Sequence, residues 1–370
     1  WTKSMSTKKD KFNKKDHYYM SLAINLAKNK KHLTGTNPSV GCVIVKQNRV
    51  VTFGSTNING RPHAETIALN RNKNNNNGST LYVSLEPCSH YGKTPPCTKA
   101  IIKSKIKKVI YSIEDNDIRS HKKSKKILKS KKISVQSGLL SKETKKFYKI
   151  YNYVKKNNKP YIIGKLACFS DLSILKNKTH ITNEYSRKVS HLLRYENQGI
   201  LTTYKTINND NPKLTCRIDG LENFSPTKII IDRDLKIKQN SYVLNKSKFQ
   251  KTIIFHNSKN LKKINFLKKR GIKVFVLKSL KSNKDFTKFF LILKNKGYNR
   301  IFVESGLTFL NFLIKNRFLK NIYIFKSSIS LKKTGLNNAN KNLLKKIKLK
   351  NLIKVYLYGD KLYKERLNYV

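Results

Sequence analysis

Acidic residues are scarce in this sequence. Its 370 residues carry 20 aspartates and glutamates against 80 lysines and arginines, a formal net charge of +60. Long apolar runs are missing too, and no stretch is long enough to span a bilayer, which excludes an integral helical membrane protein. The opening WTKSMSTKKDKFNKKDHYYM has charge but no apolar segment, so it does not read as a secretory signal. Within it, Met5 reads as a start and Trp1 to Ser4 as an extension. Cysteines number five: Cys42, Cys88, Cys97, Cys168 and Cys216. A small, odd, scattered set argues against a disulfide scaffold and for a reducing compartment, so a cytoplasmic protein is expected. No internal repeat joins the two halves.

The charge admits two readings. A basic surface suits nucleic acid. Compositional bias gives the same total, because Lys, Asn and Ile are abundant together, as in RNKNNNNGS and KNLLKKIKLKNLIK. The positive residues run along the whole chain and form no arm or stripe. Solvated faces, rather than a specific nucleic-acid interface, are therefore expected. A basic protein also attracts phosphorylated small molecules.

A chain of this length suits two domains. The first part alternates helix and strand: a helix behind Asp16, a hairpin from VGCVIV and VVTFGS turning at Gln47-Asn48-Arg49, a helix at HAETIALNR, then STLYVSLEP, CTKAIIKSK, KKVIYSI, a basic helix and a short strand at ISV. This is a layered α/β domain ending near Leu140. KETKKFYKIYNYVKKNNKP reads as a basic helical connector. A second alternating series starts at Pro160, with strands at YIIGKLA, GILTT, TKIIID, KTIIFH, IKVFVL, RIFVES, NIYIF and IKVYLYG. Its helices are expected at TNEYSRKVSHLLRYE, SKNLKKINFLKKR, NKDFTKFFLILKNK and LTFLNFLIKN.

The stretch SLEPCSHYGKTPPCTKA sets Cys88 and Cys97 in a loop stiffened by Pro95-Pro96, with eight residues between them. Upstream, GRPHAETIAL places His63 and Glu65 at the first turn of a helix. One imidazole and two thiolates make three protein ligands for a tetrahedral Zn²⁺ and leave a fourth position for water. The ion lowers the pKa of that water to about 7. Glu65 is then placed to shuttle a proton from the water to a leaving amine. A lone buried Cys is more often an inert hydrophobe, and a lone His is usually structural. The close sequence H-A-E, E-P-C and P-P-C is what favours a metal. His90 is an alternative ligand, but it shares a loop with both cysteines and reads better as a substrate or loop contact. The set resembles the zinc-deaminase signature H-x-E…P-C-x-x-C, with eight residues in place of two.

NPSVGCVIV, HAE and EPCSHYGKTPPC together resemble the deaminase half of the bifunctional deaminase/reductase family of riboflavin biosynthesis. The resemblance implies a cytidine-deaminase-like α/β/α layered domain over 14–144. It implies His63, Cys88 and Cys97 as zinc ligands, Glu65 as the catalytic proton shuttle, and Asn37 and His90 as substrate contacts. The implied substrate is a diaminopyrimidinone carrying ribosylamine 5-phosphate, and the products are the uracil and ammonia. EDNDIRS departs from the family's D-P-N-P.

In the second half, RIFVESGLTFLNFLIKN reads as strand, Gly turn, helix. Gly306 either serves the turn alone or lets backbone N–H groups approach a phosphate at a helix N-terminus. Arg194 and Arg217 are either surface residues or a bidentate phosphate clamp. KPYIIGKLA, ITNEYSRKVSHLLR, TYKTINNDNPKLTCR, KIIIDR and FVESGLTFLNFL are similar in order and spacing to the same family's reductase half. That implies a dihydrofolate-reductase-like α/β domain over 159–370 that uses NADPH. The implied cofactor contacts are Ala167, His180, Thr206, Asp210, Arg233, Gly306, Leu307, Thr308, Phe309, Leu310, Asn311 and Phe312. The implied substrate contacts are Lys178, Arg194, Leu214, Arg217 and Glu304. CFSDL keeps Asp171 of the family's x-S-L-D-G but not its Ser or Gly. His180 replaces an aromatic residue, and Asn211 the second acid of D-D-P. The resemblance leaves room for a homo-oligomer. Two other readings compete: a zinc deaminase acting on nucleic-acid bases, and a zinc-structured RNA-binding module. The nine-residue step between the cysteines, and a second domain without an obvious aromatic-basic platform for bases, weigh against the first. The second would leave Glu65 without a role.

Overall fold

A computed structural model describes residues 11–174, 180–330 and 347–367. The chain divides into two units, Trp1–Asn158 and Lys159–Val370.

The first unit runs α1 (Lys14–Asn29), β1 (Gly41–Lys46), β2 (Arg49–Ser55), α2 (Ala64–Arg71), β3 (Thr80–Leu85), α3 (Cys97–Lys103), β4 (Lys108–Ile113), α4 (Lys123–Ser130), β5 (Ser134–Ser137), α5 (Ser141–Phe147) and α6 (Lys149–Asn157). The sheet order is β2-β1-β3-β4-β5. β1 is antiparallel to β2 and β3, and β3, β4 and β5 are parallel. Gln47 and Asn48 both take positive φ (50° and 60°), the twist that a two-residue hairpin turn needs. The inner strands β1, β3 and β4 are buried on both faces, as a doubly covered sheet requires. Val43, Val45, Tyr82 and Ile110 face α1 through Tyr19, Met20, Ala23 and Ile24. Cys42, Ile44, Leu81, Val83 and Val109 face the other way, onto Ala68, Ile101 and Leu128 of α2, α3 and α4. A Cβ at Gly54 would collide with the Ala64 carbonyl, so this glycine lets the start of α2 lie directly on β2.

The stretch read as a connector is instead part of this unit. Tyr148, only 3% exposed, breaks it into α5 and α6. Its hydroxyl donates to the Ser39 carbonyl (2.7 Å) and bonds Ser84 Oγ (2.8 Å). The basic residues are the solvated face of helices whose aromatic face closes the core.

The second unit comprises β6 (Tyr161–Cys168), α7 (Glu184–Tyr195), β7 (Gly199–Thr203), α8 (Tyr204–Asp210), β8 (Thr227–Ile231), α9 (Tyr242–Asn245), β9 (Thr252–His256), α10 (Leu261–Lys269), β10 (Lys273–Val276), α11 (Asn283–Asn295), β11 (Arg300–Glu304), α12 (Leu307–Lys315), β12 (Asn321–Lys326) and β13 (Lys361–Arg366). Its sheet order is β10-β9-β8-β7-β11-β6-β12-β13. All neighbouring pairs are parallel except β12 with β13. Phe286, Phe289 and Phe290 of α11 and Leu310 and Leu313 of α12 pack on one side.

The last strand is not IKVYLYG. Within 351–359 only Leu352 makes a β-bridge, to Tyr363, and Tyr358 and Gly359 turn the chain with positive φ. The strand is KLYKER, whose buried Glu365 hid it from a hydrophobicity reading. That carboxylate accepts from the Lys350 and Asn351 backbone N–H groups and from Asn351 Nδ2, which satisfies it in place.

Candidate active sites

His63 is the N-cap of α2, Cys97 is the first residue of α3, and Cys88 follows β3 by three residues. The ligand atoms of these three residues all lie within 4.8 Å of one another. His63 Nδ1 is 3.6 Å from Cys88 Sγ and 3.4 Å from Cys97 Sγ. Tetrahedral zinc, with bonds of about 2.0–2.1 Å to nitrogen and about 2.3 Å to sulfur, sets N and S ligands about 3.5 Å apart. The donor set and its spacing fit the ion. Cys97 N–H donates to Cys88 Sγ (3.2 Å), so the start of α3 stabilises a thiolate there. Cys88 is the thiol that ionises first. It is held low by a hydrogen bond from Cys97, against its burial, with His63 adding to the effect. Glu65, in the first turn of α2, is only 3% exposed. Burial pushes its carboxyl up to about 7, and the His63 ring pulls it the other way.

A second layer holds these residues. Glu86, beside the Pro87-Cys88 step, is buried and accepts from the Asp115 (3.1 Å), Lys122 (3.0 Å) and Ser124 (3.2 Å) backbone N–H groups and from Ser124 Oγ (2.8 Å). The loop 114–124 is thereby clamped against the metal-ligand strand. Asp117 in that loop receives Arg119 and Lys155, and Asp115 receives Tyr151 of α6. His90 Nδ1 meets Ser120 Oγ of the same loop at 2.8 Å. Burial, and then Arg119, keep the His90 pKa below its usual value. Asn37 Nδ2 donates to the Gly60 carbonyl at 2.8 Å.

In the second unit, the parallel strands end together on one edge, the edge where open α/β sheets bind ligands. Ala167 lies at the end of β6, Thr206 and Asp210 in α8 after β7, Arg233 just past β8, and Gly306 past β11. Gly306 caps α12 with no side-chain hydrogen bond, and a Cβ there would meet nothing within 4 Å. The helix start is therefore open to a phosphate, which fits a nicotinamide cofactor's diphosphate. Across from it, Arg194 Nε and Nη2 bond both oxygens of Glu304 (2.6 and 3.0 Å), and Nη1 donates to the Thr215 carbonyl (2.9 Å). Lys165 Nζ is 3.9 Å from Glu304 Oε2. Burial raises the Glu304 carboxyl, but Arg194 and then Lys165 outweigh it and bring it to about 2. Burial lowers Lys165.

Residues 13–113 match the cytidine and deoxycytidylate deaminase zinc-binding region, and residues 175–333 match the RibD C-terminal domain. The riboflavin biosynthesis protein RibD of Aquifex aeolicus is 34% identical over 348 residues, covering 91% of this chain and 96% of that protein. The chain belongs to the RibD family. It is a bifunctional enzyme of riboflavin biosynthesis, with a zinc-binding deaminase half and a reductase half that takes a nicotinamide cofactor. A diaminohydroxyphosphoribosylamino-pyrimidine deaminase of Buchnera aphidicola subsp. Schizaphis graminum is 47% identical over 135 residues, 36% of this chain and 92% of that protein. The RibD structure of Acinetobacter baumannii (form 1) shares the fold, with a TM-score of 0.83 at 24% identity, over 96% of this chain and 99% of that one. Among the described residues no helix is long and apolar enough to cross a membrane.

Within this chain the expected residues do not all present themselves alike. Arg194 has its whole guanidinium committed, whereas Arg217 is exposed. Leu214 is buried with a positive φ (55°). Leu310 is fully buried in the core, and Leu307, Phe309 and Phe312 pack against it, so the open positions at the start of α12 are Gly306 and Thr308. Asn311 is half-buried on the same helix, and His180 is exposed. Lys178 lies outside the described residues. Sequence reasoning missed Lys165, Glu86 and Ser120. Glu86 stands inside the quoted E-P-C, where a buried acid next to a metal ligand was the available signal.

Proposed function

We propose that the first unit hydrolyses the exocyclic amine of a diaminopyrimidinone carrying ribosylamine 5-phosphate, and that the second reduces the ribosyl group of the deaminated product with NADPH. The deaminase reading rests on three ligand atoms at tetrahedral spacing beside the buried Glu65. Zinc held by His63, Cys88 and Cys97 supplies a Lewis acid that makes a water nucleophilic at neutral pH. Glu65 takes the proton of that water and passes it to the amine nitrogen, which leaves as ammonia. Asn37 and His90 orient the pyrimidine and its substituents.

In the reductase half, NADPH supplies a hydride to C1′ of the opened ribosylamine. The open start of α12 holds a cofactor phosphate. Arg233 at the end of β8 suits the extra phosphate that distinguishes NADPH from NADH. Arg194 does not clamp the substrate directly but holds Glu304 ionised and oriented toward the ribosyl hydroxyls. Lys165 beside it would give a proton to the ring oxygen as the C1′–O bond breaks and C1′ becomes doubly bonded to nitrogen, the form that accepts the hydride. Exposed Arg217 takes the 5-phosphate. The net charge of +60 favours such phosphorylated ligands. The cysteines, which are all free, suit a reducing cytoplasm.

The test is incubation of the purified full chain with the diaminopyrimidinone phosphate, with and without NADPH, followed by product masses. Expected are the uracil plus ammonia without NADPH and the ribityl product with it. A chain that binds NADPH but leaves it unconsumed over the deaminated compound would overturn the reductase half alone.

A further inference from the structure

His90 and Ser120 stand thirty residues apart in sequence and meet at 2.8 Å through Nδ1 and Oγ. Ser120 is fully buried. Its Oγ also faces the Ser89 N–H, at 3.5 Å, and that N–H can only donate. Among the described residues, the hydroxyl's own hydrogen then has one acceptor in reach, His90 Nδ1. A buried hydroxyl hydrogen left unmade is costly, so the hydrogen points there. Nδ1 is therefore the accepting nitrogen, and in the neutral ring the proton sits on Nε2.

The serine itself is not free to drift. Its N–H donates to the Asp117 carbonyl (2.8 Å), and its carbonyl accepts from the Lys123 N–H (2.9 Å). On either side, Glu86 grips Asp115, Lys122 and Ser124. The same glutamate precedes Pro87-Cys88, so the loop carrying Ser120 and the loop carrying His90 are tied to one anchor.

We propose that Ser120 is a positioning residue that fixes His90 as an Nε2–H donor to an acceptor oxygen of the deaminase substrate. This deepens the reading of the first unit as a deaminase and rests on it. The role belongs to substrate binding, not to proton transfer. His90 holds its ring by Nδ1 and offers a neutral donor by Nε2, while Glu65 does the acid–base work.

The test compares the zinc-loaded full chain with Ser120→Ala, His90→Ala and the double variant. Zinc content and reductase activity of each serve as folding controls. Ser120→Ala should keep its zinc and raise the deaminase KM by about 3- to 10-fold, the value of one neutral hydrogen bond, with kcat nearly unchanged. The double variant should be no worse than His90→Ala, because the serine acts only through the ring. Long-range ¹H–¹⁵N spectra of histidine-labelled protein should show His90 as the Nε2–H tautomer in the wild type and a mixture in Ser120→Ala. Multiplying effects, a fall in kcat with KM unchanged, or a His90 ring that is Nδ1–H in the wild type would overturn the proposal. An unchanged KM in His90→Ala would also overturn it. If the wild type deaminates nothing, the functional reading falls, and the ring spectrum still decides whether Ser120 sets the tautomer.

Discussion

The two halves of this chain build their sites in opposite ways. In the first, every candidate metal ligand comes from one short stretch, His63 to Cys97, and the sheet serves to hold the stretch still. In the second, the central ion pair joins Arg194 of α7 to Glu304 of β11, residues 110 apart in sequence, with Lys165 of β6 alongside. One site is local chemistry on a scaffold. The other is produced by strand order: β11 lies next to β6, and α7 crosses from β6 to β7. The first should therefore fail piecewise, losing chemistry with the fold intact. The second should lose stability and function together.

The largest effect should come from Glu65→Gln. A neutral amide cannot relay the proton, and general acid–base groups contribute about 10²–10⁴-fold. Deamination should fall by that factor while zinc content and NADPH-dependent reduction stay as in the parent. Zinc loss in this variant, or an equal fall in reductase activity, would show that the first site is not separable from its fold.

Arg194→Ala should break the comparison from the other side. Glu304 would be left with much of its charge compensation gone at a position only 11% exposed, and such half-pairs cost about 3–5 kcal/mol. Melting of the second unit should drop while the zinc site stays intact. The pH dependence carries the same information. Glu304 has a folded pKa of about 2 against the ordinary 4.5, so its contribution is full above pH 4.5 and is lost as pH falls toward 2. That contribution is about 3 kcal/mol. In Arg194→Ala the burial of Glu304 dominates, its pKa rises, and this acid-side loss should shrink. An unchanged acid limb in denaturant titrations of the variant would show that the pair is not what holds the carboxylate ionised.

The same contrast decides what was legible in the sequence. His63, Glu65, Cys88 and Cys97 could be read because their chemistry requires those residue types at short range, and the structure brings the three ligands to metal spacing. The alternating elements were legible for the same local reason, through periodicity. Ser120 and Lys165 were not, since nothing local marks a serine in EDNDIRS or a lysine in YIIGKLA as facing a particular partner, and Glu86 in E-P-C was signalled only by its place beside a metal-ligand candidate. The final strand was misplaced because burial of Glu365 obeys hydrogen bonding, not hydrophobicity.

The smallest effect tests two left-handed positions that are not held by glycine. Leu172 stands in CFSDL, where the family has Gly, and takes a φ of 65°. Lys122, in the loop clamped by Glu86, takes a φ of 58°. A left-handed non-glycine residue costs about 1–2 kcal/mol, and replacing it by glycine returns about 0.4–1 kcal/mol of that as unfolded-state entropy. Lys122 is exposed, with only a 3.9 Å approach to Glu114, so its side chain adds little. Lys122→Gly should stabilise the first unit by about 0.5–1 kcal/mol. Leu172 packs against the core of the second unit, and losing that contact offsets the relief. Leu172→Gly should therefore give no gain, or a small loss, in the melting of the second unit. A clear gain there would mean that the leucine is tolerated strain and not an anchor for the loop after β6.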